Sequence, residues 1–255
     1  MTRIRGVIFD FYGTLVRMVD PLPPSHASVF ERRGLGAAGA RWGDQWSVGP
    51  ADGEQHVAQS VSEQAYLAWE LERLRTRARA CGVPAGELDG LAAELDTAIK
   101  AIHLELFDDV RETLAGLRRR GLVVALCSNW YWDLDRAVAR VGLADLLDVV
   151  VTSARAGARK PHPRIFRTVL DGCGLRPEEA LFVGDAWGPD VEGPLAMGMR
   201  AAHLWRPDRA VDGEAPPVHG GAVRITGLAA VAELVTDPPP GPRRGGGAAG
   251  RAGCG

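Results

Sequence analysis

The sequence predicts an α/β protein whose core is a doubly wound parallel sheet, with a helical segment inserted after the first strand. Three observations support this prediction. From about residue 102 onward, short apolar strand patterns alternate with helical patterns, which is typical of a parallel sheet with helices on both faces. Another strand pattern lies near the N-terminus, and residues 16–101 between them are mainly helical in pattern. A chain of 255 residues is long enough to bury such a core.

The first strand is expected over residues 4–11, where the run IRGVIFDF carries Asp10 close to its end. In the inserted segment, one helix is expected over residues 62–82, with Ser62 as its N-cap. A second helix is expected over residues 87–106. Its apolar face would carry Leu88, Leu91, Leu95 and Ile99.

The rest of the chain supplies the alternation of helix and strand. Strands are expected over residues 122–129, 146–153, 180–185 and 199–205. Helices are expected over residues 108–121, 132–142, 162–174, 190–198 and 225–235. Pro163 stands in the first turn of the helix over 162–174, where a missing N–H is tolerated.

The predicted domain boundaries follow from these elements. The α/β core takes residues 1–15 and 102–236, and the helical insert takes residues 16–101. Residues 237–255 are rich in Pro and Gly and are expected to form a disordered tail, since such a composition buries too little apolar surface to fold.

Composition and charge exclude several classes of protein. A net charge of −2 argues against a nucleic-acid binder, which would normally carry a basic excess. No apolar run approaches the roughly 18 residues that span a bilayer, and the N-terminus lacks the pattern of a signal peptide. The four cysteines are far apart, which indicates neither a zinc site nor a disulfide framework. We expect a cytoplasmic protein that acts on a small molecule, and the sequence leaves its oligomeric state open.

Polar side chains follow the predicted strands at the points where the strands end. Asp10 ends the first strand, Ser128 and Asn129 end the strand after the first core helix, and Asp185 follows the run ALFVG. Lys160 lies in the connection that leads to this last strand. Ligands bind at the carboxyl ends of the strands in open parallel sheets. Each residue alone has a structural explanation as a turn, a cap or a surface residue, but their convergence on one edge favours a functional site.

These residue types fit one kind of chemistry. An ionised Asp can attack phosphorus or an alkyl carbon, and water then hydrolyses the resulting acyl-phosphate or ester. Attack on an anionic phosphate needs charge neutralisation, which a magnesium ion held by carboxylates or a lysine supplies. Lys160 is one of only two lysines among 30 basic residues, which indicates that a compact ammonium is required at this place.

Four motifs in this order resemble those of the haloacid dehalogenase (HAD)-like hydrolase superfamily. They are DFYGT at residues 10–14, Ser128 in LCSN, Lys160 in RKPHPRIF, and GDAWGPD at residues 184–190. The resemblance covers nearly the whole chain except the tail. It implies a Rossmann-like core, and it implies that residues 16–101 form a helical cap of the kind that closes the site and selects substrate.

The resemblance implies roles for the residues of the first three motifs. Asp10 would be the nucleophile, Lys160 its charge partner, and Thr14 would orient the loop of the nucleophile. Ser128 would bind the transferring group. The residues expected to contact substrate are Gly13, Ser128, Asn129 and Lys160.

The resemblance also implies a magnesium site. Its ligands would be the carboxylates of Asp10 and Asp185 and the backbone carbonyl of Tyr12, with Asp190 as a further acidic contact, directly or through water. The substrate would be a small phosphorylated metabolite, and attack by Asp10 would give an aspartyl-phosphate.

Tyr12 departs from the phosphatase pattern. Phosphatases of the superfamily carry an Asp at this place that protonates the leaving group and then activates water. A phenol with a reference pKa of about 10 is a poor general base at neutral pH. Tyrosine here resembles the 2-haloacid dehalogenases instead, whose halide leaving group needs no proton and which work without metal.

Other residues bear on the same choice. Asp185 resembles the metal-binding Asp of the phosphatases, and Phe166 stands where a dehalogenase would show Tyr. Arg41 lies in the region where dehalogenases use an Arg to hold substrate. His56 in the insert and His103 at its C-terminal border are candidate proton donors. Three tryptophans flank the motifs and would either line a pocket or pack in the core: Trp130, Trp132 and Trp187.

Three hypotheses follow for the function. The preferred one is a magnesium-dependent phosphatase with a weakened acid/base step. The second is a metal-independent 2-haloacid dehalogenase that forms an ester on Asp10. The third is a binding or regulatory protein of low turnover on a HAD scaffold, which could tolerate the loss of an acid/base residue.

Overall fold

A parallel sheet forms the centre of the protein, as the sequence predicts. The computed structural model describes residues 2–43, 50–206, 215 and 217–236. Within them the strands are β1 (Gly6–Phe9), β2 (Val16–Val19), β3 (His103–Leu106), β4 (Val123–Ser128), β5 (Val149–Thr152), β6 (Ala180–Gly184), β7 (Arg200–Leu204) and β8 (Val223–Ile225). Six of them pair in parallel in the order β5–β4–β1–β6–β7–β8, which places the first strand at the middle of the sheet.

Helices cover both faces of this sheet, and others form the insert. They are α1 (His26–Arg32), α2 (Gly36–Trp42), α3 (Glu63–Ala80), α4 (Leu88–Lys100), α5 (Val110–Arg119), α6 (Leu134–Arg140), α7 (Ser153–Ala156), α8 (Pro163–Cys173), α9 (Gly193–Ala196) and α10 (Val231–Leu234). Two predicted helix starts are confirmed: the Ser62 side chain accepts a hydrogen bond from the N–H of Ala65, and Pro163 opens α8. None of the described helices is long and apolar enough to cross a membrane.

The central strand is buried on both faces, which is the property that defines a doubly wound sheet. Val7 and Phe9 of β1 belong to a core with α5, α6 and α10 on one face, whereas Ile8 belongs to a second core with α8 on the other. All three side chains are inaccessible to solvent. The predicted fold class is therefore confirmed.

Helices α1 to α4 have a hydrophobic core of their own. Its largest members include Phe30 of α1, Trp42 of α2 and Leu91 and Leu95 of α4, all buried. Leu74 of α3 completes the contact between the two longest helices of the insert. This separate core agrees with the helical cap that we propose for residues 16–101.

The helix predicted over residues 87–106 is wrong at its end. Helix α4 stops at Lys100, and β3 follows and pairs in antiparallel fashion with β2, with Val16 opposite Leu106. The four residues of β3 alternate between exposed and half-buried side chains, which is a period of two and not of 3.6. The two-stranded ribbon β2–β3 thus stands where the chain leaves and re-enters the core.

Smaller differences occur near the C-terminus. Strand β8 was not predicted, because three residues carry too little pattern. The first residues of the predicted helix over 190–198 belong to a π-helical segment, Trp187–Glu192, and its α-helical part shortens to α9. The predicted tail, residues 237–255, lies outside the described residues.

Glu70 is a buried acid between α3 and α4. Its Oε2 lies 3.3 Å from Lys100 Nζ, and the same ammonium lies 2.6 Å from Asp96 Oδ1. Burial raises the pKa of Glu70 to about 6, and the attraction of Lys100 offsets this only in part. The folded protein therefore holds a proton at Glu70 more tightly than the unfolded chain does.

This difference predicts a pH-dependent stability. The free energy of unfolding should fall by roughly 2 kcal/mol as the pH rises from about 4.5 through about 6, because only the folded state retains the Glu70 proton in this window. Glu70→Gln should remove this contribution. Urea unfolding at several pH values measures it, with Glu72→Gln on the exposed side of α3 as the control. Equal pH slopes for the wild type and Glu70→Gln would contradict the assignment.

Candidate active site

Asp10 lies directly after β1 and is held by groups from three neighbouring segments. Ser128 Oγ, at the end of β4, donates a hydrogen bond of 2.9 Å to Asp10 Oδ1. Lys160 Nζ donates one of 2.6 Å to the same oxygen. The main-chain N–H of Asp10 donates to the Val183 carbonyl at 2.9 Å, which fixes the start of the loop. The structure thus brings together three residues that the sequence predicted at one edge.

Lys160 is buried between two carboxylates. Its Nζ lies 2.6 Å from Asp10 Oδ1 and 2.6 Å from Asp190 Oδ1, and the residue is 1% exposed. Burial alone would lower the pKa of Lys160, but the two carboxylates outweigh it and raise that pKa above its ordinary value. Lys160 is therefore a permanent ammonium at neutral pH.

A third carboxylate, that of Asp185, lies close to the two that contact this ammonium. One oxygen each of Asp10, Asp185 and Asp190 lies within 4.8 Å of the others. Burial raises the pKa of Asp190 above its ordinary value, with the repulsion of Asp10 and against the attraction of Lys160. The cluster holds more negative than positive charge. A hard divalent cation takes such oxygen ligands and would balance this charge, so the residues fit a metal of this class.

The two acids of the fourth motif have different partners. Asp190 uses both oxygens inside the protein, because Oδ1 accepts from Lys160 and Oδ2 accepts from the N–H of Ala186 at 3.0 Å. Asp185 Oδ1 accepts from the buried hydroxyl of Thr14 at 3.0 Å. Thr14 therefore ties the loop after β1 to the loop after β6, which is consistent with its predicted orienting role.

The turn after Asp10 is shaped by Gly13. Its φ of 87° lies in the left-handed region that favours glycine, and its N–H donates to the Val16 carbonyl at 2.8 Å. A substrate contact by Gly13 and metal ligation by the Tyr12 carbonyl stay predictions. The Tyr12 side chain is 39% exposed, so it lies at the surface of the turn rather than in the buried cluster.

Asn129 holds the main chain of the lysine. Its Oδ1 accepts from the N–H of Lys160 at 2.7 Å, and its Nδ2 donates to the carbonyl of Lys160 at 3.1 Å. The carboxamide therefore pairs with both polar groups of this residue, much as a neighbouring strand would. The predicted contact of Asn129 with substrate stays a prediction, and the structure gives it a positioning role.

A loop of the insert is also bound to the lysine segment, which the sequence did not indicate. Gly53 N–H donates to the Lys160 carbonyl at 3.2 Å, and His56 N–H donates to the Gly157 carbonyl at 2.8 Å. In the other direction, Arg159 N–H donates to the Glu54 carbonyl at 3.1 Å. We call this pairing of residues 53–56 with residues 157–160 the seam. No motif marks it, since main-chain pairing leaves no trace in residue type.

The two histidines considered as proton donors have other partners. His56 is 2% exposed and its ring stacks on Trp69 with centroids 5.1 Å apart. Burial lowers the pKa of His56, which favours the neutral ring. The exposed His103 has its Nδ1 3.1 Å from the Pro21 carbonyl. It lines a cavity of about 480 Å³ between the ribbon and the loop after β4, and the acids of the cluster do not line that cavity.

The residues that bear on the choice between phosphatase and dehalogenase, and the flanking tryptophans, contact other parts of the protein. Arg41 Nε donates to the Cys81 carbonyl at 2.8 Å, so this guanidinium ties α2 to the end of α3. Phe166 packs edge-on against Phe182 in the core with centroids 5.7 Å apart. The flanking tryptophans pack on neighbouring rings: Trp130 on Phe11, Trp132 on Tyr66 and Trp187 on His203.

Sequence comparison assigns most of the chain to one family model. The model described as haloacid dehalogenase-like hydrolase matches residues 4–198. Haloacid dehalogenase-like hydrolase domain-containing protein 3 of Bos taurus is 28% identical, over 85% of this chain and 89% of that protein. The phosphoserine phosphatase of Thermus thermophilus is 42% identical over 113 residues, which span 44% of this chain and 45% of that one. The phosphoglycolate phosphatase of Pectobacterium atrosepticum is 27% identical, over 80% and 81%.

Solved structures share the fold. A HAD phosphatase from Thermococcus onnurineus superimposes with a TM-score of 0.60 at 20% identity, over 91% of this chain and 98% of that one. A 2-haloacid dehalogenase from Pseudomonas syringae gives a TM-score of 0.57 at 22% identity, over the same shares of the two chains. At these identities the likeness concerns the architecture alone.

The close packing of Asp190 against Gly184, at the end of β6, can be tested by adding a methyl group to this glycine. A Cβ at this position would lie 2.4 Å from the Asp190 side chain, whereas a Cβ at Gly188 in the same loop would come no closer than 3.9 Å to another group. Gly184→Ala should displace Asp190 from Lys160 and lower the free energy of unfolding by about 1–3 kcal/mol. Gly188→Ala should leave it unchanged or slightly higher. Urea unfolding of both variants distinguishes them, and equal effects would count against the tight packing of Asp190.

Proposed function

Because the chain belongs to the haloacid dehalogenase-like hydrolase family, we propose that it is a magnesium-dependent phosphatase acting on a small phosphorylated metabolite. The observation that carries this proposal is the cluster in which Lys160 bridges Asp10 and Asp190 beside Asp185. Relatives named as phosphatases, of phosphoserine and of phosphoglycolate, support it. Cytoplasmic location remains a prediction that cell fractionation tests.

In this proposal Asp10 is the nucleophile. Its carboxylate attacks phosphorus, the bond from phosphorus to the leaving oxygen breaks, and an aspartyl-phosphate forms on Asp10. Water then hydrolyses this intermediate and releases inorganic phosphate. Lys160 keeps its proton throughout and lowers the repulsion between the carboxylate and the anionic substrate. Ser128, whose hydroxyl lies 2.9 Å from Asp10 Oδ1, can turn to donate to an oxygen of the transferring group.

The proposed magnesium site consists of Asp10, Asp185 and the Tyr12 carbonyl, with Asp190 in support. When bound, Mg²⁺ supplies positive charge that polarises the phosphoryl group and orients it toward Asp10. Thr14 holds the Asp185 carboxylate toward the nucleophile loop. Ala186 and Lys160 fix Asp190, which matches a supporting role better than that of a primary ligand.

Protonation of the leaving group is the weak step of the proposed reaction. A leaving alkoxide needs a proton, and the position from which related phosphatases supply it is occupied here by the exposed Tyr12. We therefore propose that turnover depends strongly on how well the leaving group departs as an anion. Phosphoanhydrides, acyl phosphates and aryl phosphates would react faster than simple alkyl phosphates.

A metal-independent 2-haloacid dehalogenase is the second candidate, and Tyr12 is the observation that favours it. The engagement of Arg41 with Cys81 and the packing of Phe166 against Phe182 speak against it. The assembled Asp10–Ser128–Lys160 contacts also speak against a scaffold without turnover.

The first test is hydrolysis of p-nitrophenyl phosphate. We expect phosphate release that requires Mg²⁺, stops with a chelator, and falls to background in Asp10→Asn. Asp145→Asn, an exposed acid on the turn that precedes β5, is the matched control and should retain full activity. Halide release from 2-chloropropionate without Mg²⁺, in the absence of any phosphatase activity, would instead establish the dehalogenase.

Substitution of Tyr12 tests the weak step. Tyr12→Asp should raise turnover of an alkyl phosphate by about 10-fold or more, since general acid/base catalysis commonly contributes more than that. The gain on p-nitrophenyl phosphate should be smaller, because nitrophenolate leaves readily without a proton. Tyr12→Phe should match the wild type. A loss of activity in Tyr12→Phe would show that the phenol itself takes part.

A further inference from the structure

His203 lies behind the metal-binding loop, at the end of β7. It is 1% exposed, and its partner in the sheet is Gly184 of β6. Gly184 is the residue that directly precedes Asp185 in the chain. Its Nε2 lies 3.1 Å from the main-chain carbonyl of Asp185. His203 and its neighbour Arg224 on β8 both fall beyond residue 198, where the match to the family model ends.

The contacts of His203 define its tautomer. Arg224 Nη2 lies 3.2 Å from His203 Nδ1, and a guanidinium can only donate hydrogen bonds. Nδ1 must therefore accept and carries no proton. In the neutral ring the proton then lies on Nε2, which donates to the Asp185 carbonyl. Arg224, paired with His203 in the sheet, thus orients the ring so that its donor points at the loop.

The loop that His203 holds carries both acids of the fourth motif. Asp185 bonds to Thr14 through its side chain, and Asp190 accepts from Ala186 within the same loop. The Trp187 ring packs edge-on against the His203 ring with centroids 5.2 Å apart. His203 therefore holds the main chain of Asp185 through its carbonyl, while the side-chain carboxylate of Asp185 lies with Asp10 and Asp190.

We propose that His203 is a positioning residue that sets the affinity of the Asp185 loop for the divalent cation. This inference rests on the metal site of the proposed function. A carboxylate ligand binds a cation more tightly when its main chain is already fixed in the binding geometry, and partners behind metal ligands commonly contribute 10–100-fold to affinity. A purely structural role predicts instead that His203 affects stability and leaves cation affinity unchanged.

The test is calorimetric titration of Mg²⁺ into the whole protein. His203→Phe keeps a ring of similar size and removes the donor, so its Kd for Mg²⁺ should rise by about 10-fold. His203→Gln has an amide N–H that can reach the same carbonyl and should stay within about 3-fold of the wild type. Val231→Ala, which truncates a buried side chain in α10, serves as a control that loses stability without touching the loop.

The outcomes are distinct. Weaker Mg²⁺ binding in His203→Phe, with near-normal binding in His203→Gln and Val231→Ala, supports the positioning role. Unchanged binding in His203→Phe overturns it while leaving the proposed phosphatase intact. A wild type that binds no Mg²⁺ overturns both proposals. If His203→Phe does not fold, His203→Met, which is flexible and has no donor, takes its place in the same comparison.

Discussion

The ion pairs of Lys160 with Asp10 and Asp190 are the contacts on which the rest of the site depends. Two carboxylates buried at the edge of the sheet would each lose several kcal/mol of hydration, and only a charge between them makes their ionised forms tolerable. Three strands end at this point, and the connection that carries Lys160 passes beside them. The ends of β1, β4 and β6 supply the acids and the hydroxyl, and Asn129 fixes the main chain that brings the ammonium to them.

The sequence was sufficient for the fold class and for the contacts around Asp10, because both are written in local patterns. A central strand buried on both faces has an unbroken apolar run, and β1 shows one. A parallel topology then gathers the strand ends at one edge, so the sequence alone places Asp10, Ser128 and Asp185 together.

What the sequence did not reveal depends on pairing between distant segments. Strand β3 directly follows a strong helical pattern, and its partner β2 lies more than eighty residues away in the sequence. The four-residue alternation in HLEL was too short to distinguish a strand from a continuation of that helix. Arg41 has the residue type of a substrate anchor, but its carbonyl partner at Cys81 is defined only by how two helices pack. The roles of Asn129 and His203 are likewise hydrogen bonds to main chain, which constrain no residue type in the partner segment.

The seam has a mechanical consequence. Its three main-chain hydrogen bonds join the insert to the connection that carries Lys160, and each contributes about 0.5–1.5 kcal/mol net. A movement that lifted residues 53–56 away from the core would break these three bonds and leave Asn129 to support the main chain that presents the ammonium to Asp10. The position of the insert loop and the support of the charge cluster are therefore linked through one stretch of backbone, residues 157–160.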